Sequence, residues 1–235
     1  MIRVFIGFDK AETVAFNVLS HSIQRRSSIP VSITPVSLSQ LGLWMKRERD
    51  PLQSNDFSFS RFLVPYLCNY EGYSVFMDCD MLCRGDIADL WKMESWSHAV
   101  KCVKHDHRPS EKTKYLGRTQ TLYEKKNWSS VMLFNNARCR ELTPGYVNTA
   151  SGLDLHQFKW LKDDSMIGEL PKEWNHLVGY DQPNPNAKLA HFTTGGPYFM
   201  EYRDCEFGDE WWAEQKDMLR CEQKMTVHTS EVVRL

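Results

Sequence analysis

The chain has 235 residues, of which 42% are hydrophobic, and its 29 basic and 30 acidic side chains leave a net charge of -1. A chain of this length can bury one substantial core, so we predict one domain at residues 1-220, followed by a C-terminal tail at residues 221-235. The balanced charge provides no global field that would draw the protein to nucleic acid or to an anionic membrane. We therefore expect no nucleic-acid partner.

The first third of the chain alternates strand and helix patterns. The apolar run Ile2–Gly7 predicts a strand, a helical pattern follows at residues 12-26, and the β-branched run Val31–Val36 predicts a second strand. Strands that alternate with helices are typical of a parallel sheet covered by helices. We predict an α/β fold with a central, mixed, mainly parallel sheet flanked by helices.

The middle of the chain leads to a pair of aspartates. A polar loop at residues 46-56 precedes a helix that we predict at residues 58-70, with a serine as its cap. The apolar run at residues 74-77 predicts a fully buried central strand. This strand ends at Asp78 and Asp80.

Shorter patterns follow the acidic pair. Asp86 is predicted to cap a short helix at residues 87-91. The segment at residues 104-126 has seven Lys or Arg against three Asp or Glu and no periodicity, so we predict a long loop there. The remaining predicted elements are strands at residues 98-103, 131-134 and 189-192 and helices at residues 154-161 and from about residue 209.

Cysteine usage and apolar runs indicate the compartment. Seven cysteines, an odd number without paired spacing, are typical of a reducing compartment rather than of a disulfide framework. No segment approaches the ~20 consecutive apolar residues that a membrane span needs, and the N-terminal residues lack a signal-peptide pattern. We expect a cytoplasmic protein without integral membrane contact.

Asp78 and Asp80 form a candidate metal site. Residues two apart in extended backbone point to the same side, so both carboxylates can face one cation at the carboxyl end of a strand, where open α/β sheets bind ligands. His191 ends a later strand, and a nitrogen ligand favours Mn²⁺ over Mg²⁺. We predict that these three residues bind Mn²⁺ (or Mg²⁺). Alternatively, the aspartates only cap a turn and the histidine is a structural hydrogen-bonding residue.

Short motifs follow one another in one order along most of the chain, from about residue 2 to residue 198. They are SRFLVP at residues 60-65, VFMDCDML at 75-82, GDIADLW at 85-91, LPKEWN at 170-175 and HFT at 191-193. Together they resemble glycosyltransferase family eight, of bacterial or viral type. The resemblance implies a single GT-A domain, a Rossmann-like nucleotide-diphospho-sugar transferase fold. It also implies transfer of a sugar, a hexose in this family, from a UDP-linked donor to a glycan or other hydroxyl acceptor.

The resemblance also implies the composition of the site, because its motifs match particular residues. Phe8 and Asp9 would flank the base and ribose, and Gly195 and Gly196 would let backbone amides approach phosphate oxygens. It implies a donor site formed by Phe8, Asp9, Arg61, Asp78, Cys79, Asn127, Trp128, Ser129, Ser130, Gly195 and Gly196, and a catalytic set of Asp154, His156 and Gln157. Plainer interpretations make Asp9 a turn residue, Arg61 a surface charge and Asp154 a helix cap.

Two features leave the chemistry of the site open. The family commonly has a basic residue after the glycine near the metal histidine, whereas this chain has Pro197 and Tyr198. Phosphate contacts would then come from backbone amides or from a basic residue of the loop at residues 104-126, which is a candidate lid or a site for an acidic acceptor. An inverting reaction needs a carboxylate base, and a retaining one relies on positioning. The candidate bases are Asp154, Asp163 and Asp164.

Two other classes of protein fit part of the pattern. A haloacid-dehalogenase-like phosphohydrolase also has an Asp-x-Asp pair, with the first carboxylate as nucleophile, and Asp209 and Glu210 resemble its late acidic motif. That family has a glycine and a hydroxyl residue soon after the pair, whereas Met81 and Leu82 follow here. A non-catalytic carbohydrate- or nucleotide-sugar-binding module would use the eight tryptophans as stacking platforms, but has little need of a metal pair.

Overall fold

The computed structural model describes residues 1-50, 53-106, 113-114, 117-119 and 123-220. The predicted tail at residues 221-235 and part of the predicted loop at residues 104-126 lie outside the described residues. The strands, in chain order, are β1 (Ile2–Gly7), β2 (Val31–Val36), β3 (Tyr73–Met77), β4 (Met81–Cys83), β5 (Val100–Cys102), β6 (Thr113–Lys114), β7 (Arg118–Thr119), β8 (Val131–Asn135), β9 (Ile167–Glu169), β10 (His176–Leu177) and β11 (Leu189–His191). The α-helices are α1 (Thr13–Arg26), α2 (Val64–Leu67), α3 (Ile87–Trp91), α4 (Pro144–Thr149), α5 (Gly152–His156) and α6 (Gly208–Met218).

Six strands form the central sheet in the order β2-β1-β3-β8-β5-β9. Strand β1 pairs in parallel with β2 and β3, and β5 pairs in parallel with β9, whereas β8 runs antiparallel to β3 and β5. A second sheet has the order β10-β11-β4, with β11 antiparallel to β4. The predicted α/β fold, with a mixed, mainly parallel sheet and flanking helices, is confirmed.

The core lies around the central strands, which are apolar on both faces. Every residue of β8 is buried, and only the first residue of β3 is partly exposed, as expected for strands covered on both sides. Helix α1 packs against β4 and α6. Glu214 of α6 is 2% exposed and lies 2.7 Å from Arg26 Nη1 and 2.6 Å from His21 Nδ1 of α1. Because a buried carboxylate needs such partners, these contacts fix α6 against α1.

The prediction of one helix at residues 58-70 is wrong. Ser60–Leu63 form a 3-10 helix, and the α-helix that follows, α2, is a single turn. Pro65 lies in the first turn of α2, and its missing N–H and its ring prevent one continuous helix through this region. The predicted serine cap is also wrong, since neither segment has a side-chain cap and Ser58 Oγ donates instead to Asn55 Oδ1 at 2.8 Å.

Two further differences concern short elements. The helix predicted at residues 154-161 begins instead at Gly152, because the Ser151 hydroxyl caps it by accepting from the Asp154 N–H at 3.0 Å. It ends at His156, and Phe158 has a positive φ of 59° that no helix can include. Strand β4 was not predicted, since three residues give no periodic pattern. Among the described residues, no helix combines the length and the apolar composition that crossing a membrane requires.

Candidate active site

The two aspartates lie at the junction of the two sheets. Asp78 follows β3 directly, and its N–H donates to the Ser130 carbonyl at 2.9 Å, next to the β3–β8 pairing. The Asp80 carbonyl accepts from the Phe192 N–H at 2.9 Å, directly after β11. Backbone hydrogen bonds therefore fix Asp78 beside the start of β8 and Asp80 beside the end of β11.

His191 completes a group of three potential metal ligands. The ligand atoms of Asp78, Asp80 and His191 lie within 4.8 Å of one another, and His191 Nε2 is 3.5 Å from Asp80 Oδ1. All three side chains are buried, with exposed fractions of 8%, 8% and 2%. Two carboxylate oxygens and one imidazole nitrogen are donors that a divalent cation accepts, so these residues fit such an ion.

Arg61 is a buried partner of the metal group. Its Nη1 lies 2.7 Å from Asp78 Oδ1 and donates to the Ser129 carbonyl at 2.9 Å, while its Nε donates to the Ser58 carbonyl at 3.1 Å. Arg61 is 4% exposed, and the carbon of its guanidinium lies 5.0 Å from the centre of the Phe76 ring. The structure therefore excludes the interpretation of Arg61 as a surface charge.

A cavity of about 450 Å³ opens beside these residues. Among the described residues, its lining includes several that the sequence did not single out, and Asp50, Tyr123 and Lys126 are the ones with titratable side chains. Of the predicted site residues, the cavity brings together Arg61, Asp78, Asp80, Asn127, Ser129, Ser130, His156 and His191. The other predicted site residues are outside its lining, namely Phe8, Asp9, Cys79, Trp128, Asp154, Gln157, Gly195 and Gly196.

Four of the predicted donor-site residues outside the lining make structural contacts. Asp9 accepts from the Ala11 N–H at 2.9 Å, as its interpretation as a turn residue requires. Phe8 packs edge-on against Phe16. The Cys79 side chain is fully buried in the core, and the Trp128 indole N–H donates to the His105 carbonyl at 2.8 Å.

The double glycine is buried, and its backbone is tightly enclosed. Gly195 has a φ of 154°, and a Cβ added at Gly196 would come within 2.2 Å of the Tyr198 ring. The Tyr198 hydroxyl donates to Glu12 Oε1 at 2.6 Å, which holds the ring there. The roles of both glycines in phosphate binding stay predictions.

The candidate bases lie outside the cavity lining. Asp154 is exposed, and its carboxylate accepts from the Ser151 hydroxyl at 2.7 Å. Asp163 caps a 3-10 turn, and Asp164 pairs with Lys125 at 2.6 Å. Among the described lining residues, Asp50 has the one carboxylate outside the metal group. Asp50 lies in a polar loop without periodicity. No pattern in the sequence therefore indicates that Asp50 lies in the site.

His156 is a partly buried histidine in the cavity wall. Its Nδ1 lies 2.7 Å from Ser129 Oγ, and its ring packs edge-on against Phe62. Burial lowers the pKa of His156 well below its ordinary value, and the nearby charges of Arg61 and Lys126 lower it further. The imidazole is therefore neutral at pH 7. In this form one ring nitrogen can donate a hydrogen bond and the other can accept one.

Replacing His156 by glutamine is expected to weaken the dependence of stability on pH below pH 6.5, the ordinary pKa of histidine. There the unfolded chain binds a proton that the folded protein excludes, so the wild type loses stability as the pH falls, at a limiting slope of about 1.4 kcal/mol per pH unit. Urea unfolding of both proteins at several pH values measures this difference. Equal losses in both proteins would show that the folded protein also protonates His156.

No family model matches the sequence. Several solved structures of glycosyltransferases have the same fold. The bifunctional glycosyltransferase WbbM aligns with a TM-score of 0.64 and 16% identity over 91% of this chain, and the chain spans 49% of WbbM. GlyE of Streptococcus pneumoniae aligns with a TM-score of 0.59 and 16% identity over 91% of this chain and 60% of GlyE. Galactosyltransferase LgtC, solved with donor and acceptor sugar analogues, aligns with a TM-score of 0.57 and 12% identity over 94% of this chain and 98% of LgtC.

These alignments define the class of fold, which is the GT-A fold of glycosyltransferases. The sequence defines the family. The chain is 45% identical over 225 residues to protein CDI of Arabidopsis thaliana, and the match covers 92% of this chain and 86% of that protein. The chain therefore belongs to the protein CDI family. Its resemblance to glycosyltransferase family eight stays a prediction.

Proposed function

We propose that the protein is a metal-dependent glycosyltransferase that moves a sugar from a UDP-linked donor to a hydroxyl group of a glycan or other acceptor. One observation carries the proposal: the metal-ligand group of Asp78, Asp80 and His191 lies in the wall of a cavity within a GT-A fold. The cavity volume, about 450 Å³, is within the range of small-molecule sites. The solved complex of LgtC with sugar analogues supports the same use of the fold.

The charged residues of the cavity have different proposed roles in donor binding. A divalent cation, Mn²⁺ or Mg²⁺, held by Asp78, Asp80 and His191 would supply the charge that neutralises a diphosphate leaving group. Arg61 holds the Asp78 carboxylate in place through the contact at 2.7 Å. Lys126 lines the same cavity and can contact phosphate oxygens, in place of the basic residue that glycosyltransferase family eight commonly has after the glycine near the metal histidine.

The acceptor side of the reaction is proposed to involve α5. The catalytic set of Asp154, His156 and Gln157 lies on or directly after this helix, and His156 is the member that lines the cavity. Its neutral ring, held through Nδ1 by Ser129, can accept a hydrogen bond from a sugar hydroxyl or donate one to it. Asp50 also lines the cavity and is a further candidate base if the reaction inverts the configuration at the anomeric carbon of the sugar.

The rival phosphohydrolase finds less support in the structure. Its late acidic motif would need Asp209 or Glu210 beside Asp78. Asp209 is exposed in the first turn of α6, and Glu210 accepts from Arg84 at 2.7 Å. Neither side chain is among the described residues that line the cavity.

Thermal unfolding with UDP, GDP, ADP and CDP, each with and without Mn²⁺, tests the proposal. A ligand that binds only the folded state stabilises it, by about 2.7 kcal/mol at a hundredfold excess over its Kd. We expect a Mn²⁺-dependent rise in Tm with UDP, and its loss in Asp80→Ala. Asp89→Ala is the matched control, because Asp89 has a side chain that is 45% exposed and pairs with Lys92 outside the cavity lining.

The outcomes separate the three classes of protein. Absence of a shift with every nucleotide would contradict the proposed donor site. A shift with UDP but no hydrolysis or transfer of any UDP-sugar would favour the binding module. Hydrolysis of p-nitrophenyl phosphate that is lost in Asp78→Asn would favour the phosphohydrolase, because that reaction uses the first aspartate as nucleophile.

A further inference from the structure

Asn175 is a fully buried residue behind the metal-ligand histidine. Its Oδ1 lies 2.9 Å from His191 Nδ1. Its Nδ2 lies 2.9 Å from Ser130 Oγ and 3.3 Å from the Asn127 carbonyl. The side chain therefore connects the imidazole to the turn that precedes β8, and it does not line the cavity.

The hydrogen-bond partners fix which way the Asn175 amide points. The Asn127 carbonyl can only accept, and it already accepts from Ser130 Oγ at 2.6 Å. The Ser130 hydroxyl has thus given its proton and can accept from Asn175. The amide NH₂ of Asn175 must face these two oxygens, so its carbonyl oxygen must face His191.

This orientation in turn fixes the tautomer of His191. The Asn175 carbonyl oxygen cannot donate, so the hydrogen of the contact at 2.9 Å has to be on His191 Nδ1. In the neutral ring, Nε2 then carries a lone pair. That lone pair belongs to the nitrogen that lies 3.5 Å from Asp80 Oδ1, within the metal-ligand group.

Asn175 also acts on the other side of the site through Ser130. The Ser130 carbonyl accepts from the Asp78 N–H at 2.9 Å, and the hydroxyl of the same residue accepts from Asn175. One buried amide thus contacts the histidine ligand directly and the first aspartate ligand through one residue. Partners of this kind orient ligands, and their loss typically weakens metal binding about 10- to 100-fold.

We propose that Asn175 is the positioning residue of the metal site: it holds His191 in the Nδ1-protonated tautomer, and so sets the affinity for a divalent cation. The inference rests on the proposed function for the presence of the cation, but the tautomer is a property of the metal-free protein. It adds to the site a residue that contacts neither the cation nor the nucleotide.

Titration with Mn²⁺, with the free ion followed by electron paramagnetic resonance, tests the effect on affinity. Asn175→Leu has a similar size and no acceptor, so it should bind Mn²⁺ about 10- to 100-fold more weakly. Asn175→Asp keeps an oxygen for His191 Nδ1 but loses the N–H donors that face Ser130 and Asn127, so it should bind Mn²⁺ more tightly than Asn175→Leu. Asn136→Leu is the control, because Asn136 is fully buried and hydrogen-bonded to Ser74 and the Glu71 carbonyl, outside the site.

Imidazole ¹⁵N chemical shifts of the metal-free protein at alkaline pH test the tautomer itself. The signal is assigned to His191 by its loss in His191→Gln, and we expect the proton on Nδ1. A proton on Nε2 in the wild type would overturn the inference without any Asn175 variant. So would a folded Asn175→Leu that binds Mn²⁺ as tightly as the wild type. A wild type that binds no Mn²⁺ would instead overturn the metal site of the proposed function, and with it the role in affinity.

Discussion

Replacing Arg61 by leucine is expected to lower the free energy of unfolding by about 3-5 kcal/mol in metal-free buffer. The change removes a guanidinium that lies 2.7 Å from Asp78 Oδ1. Asp78 is 8% exposed, and its ligand oxygen lies within 4.8 Å of the Asp80 ligand oxygen. The change also leaves the Ser129 carbonyl without the hydrogen bond of 2.9 Å from Arg61. Denaturation by guanidinium chloride measures the loss.

A second arginine provides the control for this prediction. Arg49 pairs with Asp56 at 2.5 Å, but its side chain is 55% exposed, so Arg49→Leu should cost at most about 1 kcal/mol. Mn²⁺ should stabilise Arg61→Leu more than it stabilises the wild type, because a bound cation brings positive charge back to Asp78. Equal costs for Arg61→Leu and Arg49→Leu would contradict the importance of the buried pair.

The structure confirms most predictions that depend on local sequence patterns. Strand Val31–Val36 and the helix capped by Asp86 have the predicted bounds, because periodicity and capping act within a few residues. The helix predicted at residues 58-70 is wrong because one residue, Pro65, outweighs the surrounding pattern. Strand β4 is specified by its pairing with β11, which no local pattern reveals.

The residues of the candidate site likewise include some that local sequence patterns predict and others that only the folded chain brings into the site. Asp78 and Asp80 follow from their spacing at a strand end, and His191 from its place at the end of a later strand. Asp50 reaches the cavity from a loop, so only the folded chain shows that it lines the site. Asn175 occurs in a motif of the sequence, but its contact with His191 requires β10 and β11 to lie side by side.

Replacing either metal-ligand aspartate is expected to reduce activity, whereas the two replacements are expected to change stability in opposite directions. Asp78→Asn and Asp80→Asn should each reduce turnover of UDP-sugars about 10³-fold, since a cation that stabilises the leaving group contributes several kcal/mol. Release of UDP in the presence of Mn²⁺ measures this loss. Asp89→Asn should turn over like the wild type, because Asp89 pairs with Lys92 and lies outside the cavity lining.

In metal-free buffer the same two variants should shift stability in opposite directions. Asp78→Asn leaves the buried Arg61, 4% exposed, facing a neutral amide, and should lower the free energy of unfolding by about 3 kcal/mol. Asp80→Asn removes the repulsion between two carboxylates and should raise it by about 1 kcal/mol, as is common where function keeps like charges together. A loss of stability in Asp80→Asn as large as the loss in Asp78→Asn would show that Asp80 stabilises the fold, as a turn cap does. Its burial within 4.8 Å of two other ligands would then need an explanation other than metal binding.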